Sequence, residues 1–167
     1  MGVDCYMSLG TAQALGVEYH HRFVPVDYDT LHDSLIGGWR VKSFPLVHDA
    51  ADPRGFLIRY HDDCLLFVPD TGYVEQRFAG VTIAAVECNH ISEKLSENIQ
   101  IGNIPAVVGH RGRRNHMSLD TVISMLQAND LSKCRHIFLL HLSDANSDER
   151  KMKDEVQKAT GIPVTIC

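Results

Sequence analysis

Short apolar runs bounded by turn-forming residues constrain this chain more than any other feature. Phe56 to Tyr60 and Cys64 to Val68 flank His61-Asp62-Asp63, while Val81 to Glu87 and Ile137 to Leu142 stand alone as apolar stretches of strand length. Runs this short, with turn formers on both sides, favour strands over helices. The first two predict a β-hairpin entered through Asp52-Pro53-Arg54-Gly55, and the other two predict buried strands.

Weaker signals fill the rest. Val3 to Met7 reads as a short strand, and Ser8 as the N-cap of a helix that runs through Thr11, Ala12, Ala14 and Leu15 and stops at Gly16. A strand follows at Tyr19 to Val26. Asp27 to Leu35 has apolar residues at helical spacing, broken by Gly37-Gly38 before a strand from Trp39 to Val47. Val74 to Phe78 predicts a short helix after the turn Asp70-Thr71-Gly72-Tyr73. Asn89 to Arg114 is polar and reads as loop, with one helical turn at Ser92 to Glu97. Ser118 or Asn115 caps a helix through Val122, Leu126 and Gln127; Asn146 to Thr160 is an amphipathic helix ended by Gly161, and Pro163 to Ile166 is the last strand. Strands and helices alternate without repeats, which predicts one α/β or mixed α+β domain over residues 1–167.

Composition narrows the function classes. A net charge of −5 opposes a broad electrostatic grip on nucleic acid, which depends on Lys and Arg displacing counterions. The one local basic patch is His110-Arg111-Gly112-Arg113-Arg114, whose bland reading is a solvated loop. No stretch approaches the roughly 20 apolar residues that cross a bilayer. The five cysteines are odd in number and form no C-x-x-C pair, and the chain opens without a signal-peptide pattern, which fits reduced thiols in the cytoplasm. Cys64 and Cys88 sit in or beside apolar runs, where a thiol acts as a small hydrophobe.

His48, Asp70, Asn89-His90 and His141 share a position: each lies at or just past the C-terminal end of a predicted strand. Imidazoles and a carboxylate that converge in this way suit Zn²⁺ or Mn²⁺. Each taken singly is more often structural, but the repeated placement favours a common site.

Three segments make a resemblance specific. Phe44-Pro45-Leu46-Val47-His48-Asp49-Ala50, Phe67-Val68-Pro69-Asp70-Thr71-Gly72-Tyr73 and Leu139-Leu140-His141-Leu142-Ser143-Asp144-Ala145-Asn146 resemble, in order, the later metal motifs of the metallo-β-lactamase superfamily. Glu87-Cys88-Asn89-His90 and Asn115-His116-Met117-Ser118 further resemble its branch of small bacterial and phage hydrolases related to YycJ-type exonucleases. The resemblance implies a partial αββα sandwich holding two divalent ions, Zn²⁺ or Mn²⁺. His48 and His141 would each ligate one ion, and Asp70 would bridge them. It also implies hydrolysis of a phosphodiester, as in a nuclease, by an activated water. His116 and His90 are then the catalytic candidates, with His116 the stronger as a group that contacts the phosphate or protonates the leaving oxygen. Asp49, Ser143 and Asp144 could orient the ligating imidazoles, and Arg111, Arg113 and Arg114 could hold the substrate.

The superfamily's principal motif, His-x-His-x-Asp-His, does not occur in the sequence. His20-His21 cannot replace it, because adjacent strand residues point to opposite faces. The expectation is a chain that starts a few dozen residues late, binds metal weakly alone and leaves an edge or apolar face of the sandwich uncovered. That would favour a homo-oligomer or a complementing N-terminal fragment. Two other readings stand beside the enzyme: an inactive remnant or interaction module of the same fold, and a generic α/β domain with incidental histidines.

Overall fold

The computed structural model describes residues 2–26, 34–36 and 38–167. The chain begins with a small unit, β1 (Cys5–Met7), α1 (Leu9–Leu15) and β2 (Phe23–Pro25), in which the two strands pair in parallel. Its helix is delimited as the sequence indicated: Ser8 Oγ accepts the Thr11 N–H at 3.2 Å, and Gly16 closes the helix at φ 67°.

The remaining strands form one seven-stranded sheet in chain order: β3 (Ser34–Ile36), β4 (Trp39–Pro45), β5 (Arg54–Tyr60), β6 (Asp63–Val68), β7 (Ile83–Glu87), β8 (His136–Leu140) and β9 (Val164–Ile166). Pairing is antiparallel from β3 to β6 and parallel from β6 to β9. In the β5–β6 hairpin Tyr60 faces Asp63, so His61 and Asp62 make the two-residue turn, with His61 at φ 52°. The helices are α2 (Ser92–Gln100), α3 (Ala106–Asn115), α4 (Leu119–Gln127) and α5 (Glu149–Thr160).

One face of the large sheet makes the core. Leu57, Cys64, Leu66, Val68, Ala84, Val86, Ile137 and Leu139 are buried there in one cluster with Val122, Met125 and Leu126 of α4 and Met152 and Val156 of α5. The opposite face carries Val41, Phe56, Ile58, Leu65, Phe67, Ile83, Phe138 and Leu140, all half-buried and outside that cluster. Among the described residues, the strands outside this sheet are the β1–β2 pair alone. Among the described residues no helix is long and apolar enough to cross a membrane.

Several sequence expectations are corrected. The helix predicted over Asp27 to Leu35 falls largely outside the described residues, and at its end 34–36 pair with β4 as a strand. Val74 to Phe78 is not helical; the i, i+4 spacing of Val74 and Phe78 buries both from an irregular segment pinned by the Phe78 N–H to Asn129 Oδ1, 2.6 Å. The predicted strand from Tyr19 contracts to three residues behind a run of turns. The stretch from Asn89 to Arg114 holds two helices rather than a loop. Gly109, which reads as a helix breaker, is where α3 meets α2: a Cβ there would stand 2.3 Å from Ile99 Cδ1.

Candidate metal centre

Strand direction brings the site together. β4 and β6 are both antiparallel to β5 and so run the same way, and β6, β7 and β8 are mutually parallel. The C-terminal ends of β4, β6, β7 and β8 therefore share one rim, and His48, Asp70, Asn89-His90 and His141 follow them there. A fifth segment joins between α3 and α4. The Asn89 N–H donates to the Met117 carbonyl at 3.0 Å and the Leu119 N–H to the His90 carbonyl at 2.9 Å, which sets His116 beside the strand ends.

His48, Asp70 and His116 each offer a donor atom, and these atoms lie within 4.8 Å of one another. His141 Nε2 stands 3.5 Å from Asp70 Oδ2. The His116 ring lies between the other two imidazoles, its centroid 5.2 Å from that of His48 and 5.1 Å from that of His141. Donors around a tetrahedral zinc are separated by about 3.3 Å, so a modest inward turn of these side chains would close them on an ion. Two kinds of donor, neutral imidazole and carboxylate, suit a divalent metal.

The loops that carry these residues are tied to one another. Thr71 Oγ1 accepts the Val47 N–H at 2.9 Å and the Gly72 N–H donates to the Val47 carbonyl at 2.7 Å, which fastens the His48 loop to the Asp70 loop. Gly72 permits a further approach, since a Cβ there would lie 2.0 Å from the Arg114 carbonyl oxygen at the end of α3. Asn89 Nδ2 donates to the His141 carbonyl at 3.0 Å. His141 itself takes φ 57°, the left-handed conformation a non-glycine residue adopts only where its surroundings impose it.

Beneath the cluster lies Glu87, a residue the sequence reading quoted in a motif but gave no role. Its carboxylate is wholly buried, and three donors satisfy it: the Thr71 N–H and the Met117 N–H at Oε1, each 2.8 Å, and His116 Nδ1 at Oε2, 2.8 Å. This contact leaves Nε2 as the nitrogen of His116 open to the cavity and fixes the ring, as carboxylate partners do for ligating histidines. The hydrogen bond to Glu87 raises the His116 pKa against the opposing effect of burial, with the charges of Glu87, Asp70 and Asp49 adding to it. Cys88 next to it is pushed up to about 12, by burial and then by the Glu87 and Asp120 carboxylates, so it is no nucleophile.

The other expected site residues divide. A cavity of about 370 Å³ is lined by His48, Asp49, Asp70, Arg111, His116 and His141. Arg111 Nε donates to Asp49 Oδ2 at 2.6 Å, and this bond, opposed by slight desolvation, lowers the Asp49 carboxyl to about 2. Asp49 Oδ1 is also 3.5 Å from His48 Nδ1. Arg113 turns away to Ser96 Oγ at 2.5 Å, and Arg114 is exposed. His90 is 3% exposed, does not line the cavity, and its Nδ1 has no hydrogen-bond partner; burial first, then His116 and Arg113, push its pKa down to about 4. Ser143 Oγ accepts from Asn146 Nδ2 at 3.0 Å, and exposed Asp144 lines a separate cavity beyond His141.

Comparison with known proteins finds similar sequences and similar folds. Exodeoxyribonuclease YycJ of Bacillus anthracis is 30% identical over 117 residues, 66% of this chain and 43% of that protein. Exodeoxyribonuclease WalJ of Streptococcus pneumoniae is 27% identical over 160 residues, 87% of this chain and 56% of the relative. The chain thus spans about half the length of these relatives. Among solved structures, the metallo-β-lactamase fold protein YhfI of Bacillus subtilis superposes with a TM-score of 0.68 at 12% identity, over 97% of this chain and 61% of that one. A putative metal-dependent hydrolase of Parabacteroides distasonis gives 0.63 at 15% identity, over 98% and 63%. No family model matches the chain. The chain therefore has the metallo-β-lactamase fold, and its sequence is similar to those of the two exodeoxyribonucleases.

Proposed function

We propose that the chain serves in metal-dependent hydrolysis of phosphodiesters in nucleic acid. The observation that carries this reading is the cluster of His48, Asp70 and His116, held from below by Glu87 and bordered by Arg111. The similarity to two exodeoxyribonucleases supports the substrate class. In this reading His48, Asp70 and His141 would hold two divalent ions, Zn²⁺ or Mn²⁺. Divalent ions bound there would supply Lewis acidity and lower the pKa of a water. His116 Nε2 meets the leaving oxygen, with buried His90 behind it as a support for that segment. Asp49 orients both His48 and Arg111, while Ser143 and Asp144 shape the His141 loop. Arg111 reaches the reacting phosphate, and Arg113 and Arg114 lie along the path of the strand. The cytoplasm, where nucleic acid and reduced thiols coexist, is the compartment we assign.

The absence of His-x-His-x-Asp-His favours a second reading, a non-catalytic module of the same fold. A second copy, or a separate N-terminal fragment, that covers the open sheet face would reconcile the two by adding donors. Elemental mass spectrometry of the purified chain against a His48→Ala/His141→Ala variant, alongside hydrolysis of a single-stranded oligonucleotide with Mn²⁺ or Zn²⁺, tests the proposal. Bound metal lost in the variant together with its turnover is expected. Metal in neither protein, alone or at concentrations where light scattering shows oligomers, would leave the second reading. His116→Ala should keep the metal and lose turnover.

A further inference from the structure

A second cavity, of about 410 Å³, lies between the segment that follows Asp70 and the first turns of α4. It adjoins the metal centre through the chain itself. Gly72, which lines it, abuts the Arg114 carbonyl, and the next residue, Asn115, lines the cavity that holds the histidines. The volume lies in the range of small-molecule sites.

Its chemistry differs from that of the metal centre. Val74 and Met125, 1% and 3% exposed, form an apolar floor, and the half-exposed Tyr73 ring stands at the side. The cation on its wall, Arg77, points its Nη1 at the carbonyls of Val74, Glu75 and Gln76 at 3.5, 3.3 and 3.2 Å. Asp120 is exposed at the cavity and Ser124 adds a hydroxyl. The Asp120 carboxylate repels phosphate from its side of the cavity. An aromatic side wall, an apolar floor and an anionic acceptor instead suit a flat, uncharged ring with N–H donors on its edge.

We propose that this cavity seats a nucleobase of the substrate strand, with Tyr73 stacked on its face and Asp120 accepting from its amino and imino groups. Guanine, which presents two neighbouring N–H donors to a carboxylate, is the base it fits best. The inference rests on the nucleic-acid reading above and adds a base-recognition site to it.

The test is an amide NMR titration of the full-length ¹⁵N-labelled chain with deoxyguanosine monophosphate and, separately, with deoxyribose 5-phosphate, which lacks a base. The nucleotide should shift the amides of Tyr73, Asp120 and Thr121 and bind roughly tenfold more tightly than the sugar phosphate, the size expected of one stacked base. Tyr73→Ala and Asp120→Asn should each remove most of that difference without changing sugar-phosphate affinity, which also reports that the variants are folded. Equal affinity for the two ligands, no binding of either, or shifts confined to the loops of Asp70 and Arg111 would overturn the proposal. Base-dependent binding in a chain that hydrolyses no strand would support the base site and sink the hydrolase reading instead.

Discussion

The two faces of the seven-stranded sheet are built from similarly apolar side chains and meet different surroundings. On one, Leu57, Leu66, Val86, Ile137 and Leu139 pack under α4 and α5 and are almost fully buried. On the other, Ile58, Leu65, Phe67, Ile83 and Phe138 alternate with them along the same strands and stay half-buried. The two buried residues at strand positions of that second face, among those described, are polar: Ser43 and Glu87, near the C-terminal ends of β4 and β7. The helix-covered face is packed into one buried cluster, whereas the other face, among the described residues, is fully buried in its strands only at Ser43 and Glu87. Stability and chemistry therefore draw on opposite sides of one sheet.

Adjacent leucines on β6 offer the sharpest way to break this contrast. Leu66→Ala should cost about 2–5 kcal/mol by urea unfolding, as deletions in a packed core do. Leu65→Ala should cost less than half of that; equal losses would mean that the second face is covered in solution. Glu87→Gln comes next. Replacing the buried carboxylate loosens His116 and should lower oligonucleotide turnover about 10- to 100-fold while the bound metal stays, as elemental mass spectrometry would show. Unchanged turnover would reduce Glu87 to a structural tie between Thr71 and Met117.

Two buried or half-buried histidines give opposite pH dependences. His116 has a raised pKa, so its pairing with Glu87 contributes stability that is fully present below the unfolded value of about 6.5 and is lost as pH rises through the folded value. His90 is depressed to about 4, so the native state loses stability as pH falls from about 6.5 toward 4, where the unfolded chain takes up a proton that the native state refuses. Urea midpoints across pH 4 to 8 should show the alkaline loss vanish in Glu87→Gln and the acid loss vanish in His90→Asn. The smallest effect belongs to the open face. Phe138→Ser should change stability by only about 1 kcal/mol and lower the fluorescence of a bound apolar dye; a core-sized loss would place Phe138 with the buried side.

Much of the fold was legible because its signals are local. The hairpin turn at His61-Asp62, the Ser8 and Ser118 caps and the Gly16 and Gly161 stops depend on nearest neighbours along the chain. Helix α3 was not legible, since two glycines and a run of charge make it a poor helix by propensity, and only the contact of Gly109 with Ile99 explains it. The continuous apolar runs of β7 and β8 predicted strands buried on both faces, and one face of each is largely half-buried instead. At the site, His48, Asp70 and His141 could be found because they end strands. Glu87 could not, because it sits inside a strand and its partners, two backbone N–H groups and His116, come from segments 16 to 30 residues away.

The meeting of His48 with Asp70 is a matter of parity. Each antiparallel neighbour reverses the chain, so passing from β4 across β5 to β6 makes two reversals and restores the original direction. An insertion or loss of one antiparallel strand between them would make the count odd and send one of the two donors to the far edge of the sheet, about 20 Å away across a seven-residue strand. Loops around this hairpin can lengthen or shorten freely, but strands can be added there only in pairs. That rule limits how such a scaffold can be edited while it keeps a common rim.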